Sequence, residues 1–226
     1  AHGGGIFRLS ASTLELQGNA AIRANGLAGQ TNYGGGAGGS IHLNVGNLTG
    51  SGVLEVKGGG GGSQKAGGGR ISAYVDNDSG FVGQYITGDS SAGSGTAFIK
   101  RAGDQFGELV VDNSSVTAGD YSTPLPHVGK HKIVGVVQVE EGLWRVTVEG
   151  APWKETNIYA EKELVGVHIF DRIIVRNGGW LDIGQDRMIV LESGNSIIEN
   201  GSTISGDVLP QNVIERALST GGGIVT

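Results

Sequence analysis

The chain has 226 residues, of which 44 are glycine and none is cysteine, and its formal net charge is −6. The lack of cysteine excludes a disulfide framework and a thiolate metal site. The net acidity argues against a nucleic-acid partner, because phosphate binding requires a basic surface. No apolar run reaches the length that spans a bilayer, so we expect no membrane insertion.

Glycine-rich repeats occupy the N-terminal part of the chain. Short segments in which apolar and polar residues alternate are separated there by glycine runs, and this alternation predicts strands with one buried face. Phe7, Ile41 and Ile71 each open such a segment, at spacings of 34 and 30 residues, which is the range of repeat architectures. A fourth repeat is predicted to begin at Thr96 and to continue to residue 111.

The glycine runs need a structural reason, because fixing a glycine costs more backbone entropy than fixing any other residue. Two reasons are expected: close packing of successive coils, which leaves no room for a side chain, and loops with positive φ. Coil stacking would place apolar residues such as Leu9 and Leu43 over one another, about 4.8 Å apart.

The segment 120–170 differs in composition. It contains three of the four prolines and two of the three tryptophans, Trp144 and Trp153. Residues 132–139 and 143–149 have the composition of two strands around a Glu-Glu-Gly turn, which predicts a hairpin. We interpret the segment as a small β insertion.

A shorter repeat follows towards the C-terminus. The stretches RIIVRNGGWLDIG and NSIIENGSTISGD align with a constant offset of 23 residues, which matches one turn of a parallel β-helix with three short strands. The alignment places Arg176 over Glu199 and Trp180 over Thr203. The asparagines at 177 and 200 each precede a glycine, where a turn needs a residue that tolerates positive φ. Residues 212–220 are predicted to form a short helix.

The stretches GGGAGGSIHLNVGNLTGSGVLEVKGGGGG and GGGRISAYV are followed by GTAFIK and GELVVDN. This pattern, over residues 1–126, resembles the glycine-rich modules of large bacterial surface and secreted adhesin-like proteins. The resemblance implies a right-handed parallel β-helix in an extracellular, non-enzymatic stalk or adhesive module. It supplies no catalytic residues.

One outward face is the first candidate binding site. Arg23, Glu55 and Tyr85 are predicted at equivalent places of successive repeats, and Lys57 follows two residues after Glu55. Such a row could grip a saccharide, and β-helix enzymes of the pectate-lyase type use similar faces. The alternative interpretation is a cross-strand ion pair on a solvated face.

Aromatic side chains form a second set of candidate contacts. Tyr74 and Trp153 are the ligand-binding candidates, and Tyr33 lies beside a glycine run. An exposed aromatic ring can stack on a sugar. The alternative is that these rings close a small core.

The carboxylates of Asp76 and Asp78 are the candidate metal ligands, in the run Asp-Asn-Asp-Ser-Gly. Glycine stands at the fifth place of this run and no glutamate at the twelfth, which departs from the calcium-loop pattern. We therefore interpret the run as an Asx-rich turn, with a metal site as the alternative. No cofactor is predicted.

Together these patterns predict an all-β protein: a right-handed parallel β-helix, or solenoid, with a small β-rich insertion. The expected domains are 1–119, 120–170 and 171–226, in a fragment of a larger protein. The expected function is that of a non-enzymatic structural or adhesive segment of a bacterial surface or secreted fibre protein, which binds a cell-surface glycan or protein. The alternatives are a polysaccharide-degrading lyase or hydrolase, and a homo-oligomer that stacks through open coil ends.

Overall fold

The computed structural model describes residues 1–30, 33–60, 65–88, 92–116, 121–124, 133–140, 143–148, 166–183 and 189–205. These residues form fifteen strands and no helix, so the predicted all-β class is confirmed. The predicted helix at 212–220 lies outside the described residues. The strands are β1 (Ile6–Leu16), β2 (Ala21–Arg23), β3 (Ser40–Gly50), β4 (Val53–Glu55), β5 (Arg70–Phe81), β6 (Gln84–Ile86), β7 (Thr96–Arg101), β8 (Glu108–Asp112), β9 (Thr123–Pro124), β10 (Ile133–Glu140), β11 (Leu143–Val148), β12 (Gly166–Arg176), β13 (Trp180–Asp182), β14 (Ile189–Ile198) and β15 (Thr203–Ser205).

A seven-stranded sheet has the strand order β1-β3-β5-β7-β8-β12-β14. Its first four strands are parallel. Leu9 pairs with Leu43, Leu43 with Ala73, and Ala73 with Ile99. These pairs lie 34, 30 and 26 residues apart in sequence, and the predicted alignment of the four segments is confirmed.

The predicted continuation of the fourth repeat to residue 111 is wrong, because β8 runs antiparallel to β7. A parallel crossover needs a dozen or more residues, and the connection 102–107 is too short for one. Gly107 in this turn has a φ of +92°. The Asp171 carboxylate accepts the N–H groups of Phe106 and Gly107 at 2.8 and 2.7 Å. Strand β12 then pairs with β8 in parallel.

Two three-stranded parallel sheets have the orders β2-β4-β6 and β15-β13-β9. In the second of these, Trp180 pairs with Thr203 and Leu181 with Ile204, which confirms the 23-residue step at these positions. Asn177 has a φ of +53°, as predicted for the turn that precedes a glycine.

The long sheet and the β2-β4-β6 sheet share one apolar core. In β3 the side chains of Ile41, Leu43 and Val45 are buried, while Asn44 between the last two is exposed. The fully buried Leu54 of β4 belongs to the same apolar cluster. Each such side chain stabilises the fold by about 1.5–3 kcal/mol. The alternation predicted from the sequence is therefore the pattern that joins these two sheets.

Between each short strand and the next long strand, the chain forms a pair of extended limbs, which we call a glycine arm. Within the first arm, Gly36 N–H donates to Leu27 C=O at 2.9 Å, and Gly39 N–H donates to Ala24 C=O at 2.7 Å. This three-residue spacing is the period of an extended, polyproline-II-like chain. The three arms comprise residues 24–29 with 34–39, 56–60 with 65–69, and 87–88 with 92–95.

Successive arms are hydrogen-bonded to each other through their backbones. Gly26 N–H donates to Lys57 C=O at 2.9 Å, and Gly59 N–H donates to Gly36 C=O at 2.8 Å. A Cβ atom on Gly59 would lie 1.9 Å from the carbonyl oxygen of Leu27. Of the two reasons expected for glycine, close backbone packing is therefore the one that applies in the arms. The described glycines with positive φ lie outside them: Gly18, Gly50, Gly107, Gly178 and Gly201.

The chain divides into two compact units. In the second unit, β10 and β11 form an antiparallel pair with Val136 opposite Val146, which confirms the predicted hairpin. The first unit comprises Ala1–Pro126, Ile169–Asp186 and Glu192–Thr226, and the second comprises His127–His168 and Arg187–Leu191.

Candidate functional site

The predicted face around Glu55 is assembled in part. Arg23 on β2 pairs with Glu55 on β4, and Arg23 Nε lies 3.1 Å from Glu55 Oε1. Lys57 Nζ lies 3.3 Å from Glu55 Oε2. The Asn25 side-chain amide donates to Glu55 Oε1, and Lys57 N–H donates to Asn25 Oδ1 at 2.8 Å. The structure therefore brings Arg23, Glu55 and Lys57 together, as predicted, and adds Asn25.

The Glu55 carboxylate is nearly enclosed, with 10 % of its side chain exposed. Burial alone would raise the pKa of Glu55, but the hydrogen bond from Asn25 and the charges of Lys57 and Arg23 outweigh burial and hold that pKa below its usual value. An ionised carboxylate of this kind cannot act as a general acid at neutral pH. The accessible part of the cluster is the Arg23 guanidinium, whose side chain is 57 % exposed.

Tyr85 does not join this face, so the predicted row is wrong by one residue at this end. Tyr85 pairs with Leu54, and Ile86 pairs with Glu55. A shift of one residue moves a side chain to the opposite face of a strand. Tyr85 accordingly packs against the core, and its ring centroid lies 5.4 Å from that of Phe81. Its hydroxyl is buried without a hydrogen-bond partner among the described residues, and burial raises the pKa of Tyr85.

Tyr74 belongs to a row of rings on the long sheet, on the face opposite the core. Its ring centroid lies 5.6 Å from that of His42 and 5.8 Å from that of Phe98, and Phe98 lies 6.3 Å from Phe170. Phe98 and Phe170 are buried, whereas Tyr74 is half-buried. Tyr74 is therefore partly packed and partly available for a contact. Trp153 lies outside the described residues.

The predicted Asx-rich turn lies inside β5, and not between strands. The register between β3 and β5 shifts by one residue between Asn77 and Gly80, which is a β-bulge. The Asp78 carboxylate accepts from Arg101 Nε, with both oxygens 3.0 Å away, and Asp76 is exposed. Among the described residues, no group of three or more His, Asp or Glu side chains is placed to hold a metal ion.

The tip of the first glycine arm presents two exposed apolar side chains. Leu27 is 59 % exposed and Tyr33 is 68 % exposed. Tyr33 N–H donates to Gln30 C=O at 2.9 Å, and a Cβ atom on Gly29 would lie 2.1 Å from the Tyr33 carbonyl oxygen. The ring of Tyr33 is therefore mounted on a closely packed backbone, where it can form an aromatic contact with a partner.

The sequence gave no sign of a polar cleft that lies beside β6. Its volume is about 330 Å³. Arg176 Nε lies 2.7 Å from Asp112 Oδ2, and Asn177 Nδ2 donates to Asp112 Oδ1 at 3.0 Å. Arg176, which was predicted beside Glu199, thus forms its ion pair with Asp112 of the neighbouring β8. The cleft is lined by Gly83, Gln84, Tyr85, Ile86, Asp112, Ser114, Ser115, Arg176 and Asn177.

Comparison with known proteins does not narrow this further. No protein family matches the chain, and neither a curated protein nor a solved structure matches it. The described residues include no helix long and apolar enough to cross a membrane. The fold and its sites define an all-β protein in which parallel strands and glycine arms are stacked.

Proposed function

We propose that the chain is a right-handed parallel β-helix and a non-enzymatic structural and adhesive segment of a large bacterial surface or secreted fibre protein. The main support is the backbone hydrogen bonding between successive glycine arms, such as Gly59 N–H to Gly36 C=O. Contacts of this kind join each repeat to the next, which is how solenoid proteins extend by the addition of units. An arm packed at this distance has no room for catalytic side chains.

The long sheet supports the same proposal. The row Leu9, Leu43, Ala73 and Ile99 continues through four strands in register, and each strand adds about 4.8 Å along the row. After the reversal at β8, the 23-residue step between β13 and β15 repeats the principle with shorter units.

Adhesion is the second part of the proposal, and its partner is a cell-surface glycan or protein. The accessible groups are the Arg23 guanidinium, the ring of Tyr33 and the half-buried ring of Tyr74. Guanidinium groups donate several hydrogen bonds, and aromatic rings can stack on the apolar face of a sugar. The Glu55 carboxylate is occupied by three donor side chains, which favours a structural role for it over an acid–base role.

A glycan array combined with a turnover assay tests this function. The labelled chain should bind at least one glycan, and it should release neither reducing nor unsaturated sugar from the corresponding polysaccharide. At least one of Tyr33→Ala and Arg23→Ala should weaken the binding. Ile198→Ala removes another exposed apolar side chain and is the matched control. Sugar release above the blank would contradict the non-enzymatic assignment and favour the polysaccharide-degrading alternative.

Self-association through the coil end belongs to the same proposal. Strand β1 forms one edge of the long sheet, and its first residue, Ile6, is 87 % exposed. An exposed strand edge of this length can pair with another chain. Light scattering over a range of concentrations should show a rising mass, and a constant monomer mass would contradict this part.

A further inference from the structure

Three residues with unusual backbone conformations converge on the cleft beside β6. In the described part of the chain, the non-glycine residues with positive φ are Ser114 (55°), Ser115 (66°) and Asn177 (53°). All three line this cleft. Asparagine tolerates the left-handed region, but serine adopts it rarely. Such conformations cost about 1–3 kcal/mol each and cluster at binding sites. Two successive left-handed serines therefore mark the cleft as a feature with a use.

The opposite wall of the cleft is an open strand edge. Strand β6 is the last strand of the β2-β4-β6 sheet. Gln84 N–H donates to Gly52 C=O at 3.2 Å, and Ile86 C=O accepts from Val56 N–H at 2.9 Å, so both residues bond towards β4. Because alternate residues of a parallel strand bond to opposite sides, the N–H and C=O of Tyr85 point away from β4 and into the cleft.

The side chains of the cleft add further free hydrogen-bonding groups. Arg176 uses Nε to bind Asp112, and its two terminal nitrogens make no hydrogen bond to a described residue. The exposed side-chain amide of Gln84 makes none within the described structure either. The charges of Asp112 and Arg176 offset each other at a distance of 2.7 Å. The cleft thus combines donors and acceptors with no net charge.

We propose that this cleft binds one or two pyranose units of a neutral glycan. Adjacent sugar hydroxyls both donate and accept hydrogen bonds, which suits the Gln84 amide, the Arg176 nitrogens and the free backbone groups of Tyr85. The volume of about 330 Å³ lies at the small end of the range of ligand sites, about 300–1,000 Å³. An extended peptide would need a longer free edge, since β6 has three residues and directs one of them outward. This inference rests on the adhesive part of the proposed function and names its site.

Amide chemical shifts of the ¹⁵N-labelled chain test the inference directly. The probes are glucose, galactose, mannose and N-acetylglucosamine, together with their β-linked dimers. At least one of them should shift the amides of Tyr85 and Ser115. Gln84→Ala and Arg176→Lys should each weaken the affinity about three- to tenfold, because each removes a hydrogen bond to the ligand. Asn44→Ala, which removes an exposed amide on the long sheet, is the control and should leave the affinity unchanged.

The outcomes separate the cleft from the proposed function. If a sugar binds but shifts amides elsewhere, or if both cleft variants change its affinity by less than about twofold, the cleft assignment is overturned and adhesion stands. Binding of an extended peptide at Tyr85, with no sugar bound there, would overturn the ligand class. If the glycan array is positive and none of the neutral sugars binds, the cleft assignment is likewise overturned. Gln84 makes no contact that holds the fold, so the Gln84→Ala result can be interpreted even if Arg176→Lys lowers stability.

Discussion

Two adjacent glycines of the second arm should respond oppositely to alanine. A Cβ atom on Gly59 would lie 1.9 Å from the carbonyl oxygen of Leu27 and 2.5 Å from its carbonyl carbon, whereas a Cβ atom on Gly60 would meet nothing within 4 Å. Backbone atoms cannot rotate away as a side chain can, so the arms must separate and weaken bonds such as Gly59 N–H to Gly36 C=O. We expect Gly59→Ala to lower the free energy of unfolding by about 3 kcal/mol or more. Gly60→Ala should raise it by about 0.4–1 kcal/mol, because alanine restricts the unfolded chain.

Thermal unfolding followed by circular dichroism measures both effects. In a chain of this length, 1 kcal/mol shifts Tm by about 2–4 °C. Gly59→Ala should therefore unfold about 6–12 °C below the wild type, and Gly60→Ala at the wild-type temperature or slightly above it. Equal losses from the two substitutions would refute the argument that close backbone packing selects glycine in the arms. So would a Gly59→Ala variant as stable as the wild type.

Three further predictions concern single side chains. The folded-state pKa of Glu55 lies below its ordinary value of 4.5, so its stabilising contribution is present above that pH and is lost as the pH falls through the folded-state pKa. Urea titrations should therefore show that acidification destabilises the wild type more than Glu55→Gln, and parallel losses would contradict this. Tyr85→Phe should raise the free energy of unfolding by about 1 kcal/mol, because the hydroxyl is buried without a described partner; a lower Tm would show that the hydroxyl does contribute. Asp171→Ala should lower Tm, because the N–H groups of Phe106 and Gly107 lose their acceptor, whereas Asp171→Asn keeps an acceptor oxygen and should retain most of the stability; equal losses would show that these two bonds do not hold the turn.

Alternation and repeat spacing were enough to predict the strands and their pairing in the first four segments. Leu9 and Leu43 could be matched because both stand in an apolar–polar alternation after a glycine run, and the structure pairs them. The C-terminal match of Trp180 with Thr203 succeeded for the same reason. In both cases the buried face repeats at a constant offset, which the sequence displays directly.

The error at Tyr85 has a specific cause in β5. The pairs before the bulge, such as Asn47 with Asn77, are 30 residues apart, whereas Thr49 and Gly80 after it are 31 apart. A constant offset of 30 from Glu55 therefore reaches Tyr85, but the bulge moves the true partner to Ile86. A bulge adds one residue without a change in the apolar pattern, so the pattern could not reveal it.

The polar cleft was missed because its residues come from distant parts of the sequence. Gln84 lies on β6, Ser114 and Ser115 follow β8, and Arg176 ends β12. These elements meet because β8 reverses direction, which the predicted continuation of the fourth repeat did not allow. The short connection 102–107 was visible in the sequence, and the length that a parallel crossover needs could have indicated the reversal.

The central claim is that the first strands stack in parallel and in the register given by the repeats. Ser10 pairs with Asn44 and Thr13 with Asn47, all four are exposed, and the chain contains no cysteine. Paired residues about 4.8 Å apart lie within the distance that a disulfide can bridge. After mild oxidation, intact mass should show an intramolecular disulfide in the double variant Ser10→Cys with Asn44→Cys and in Thr13→Cys with Asn47→Cys, and none in Ser10→Cys with Asn47→Cys. A disulfide in the last variant and none in the first two would contradict the parallel, in-register stacking on which the account depends.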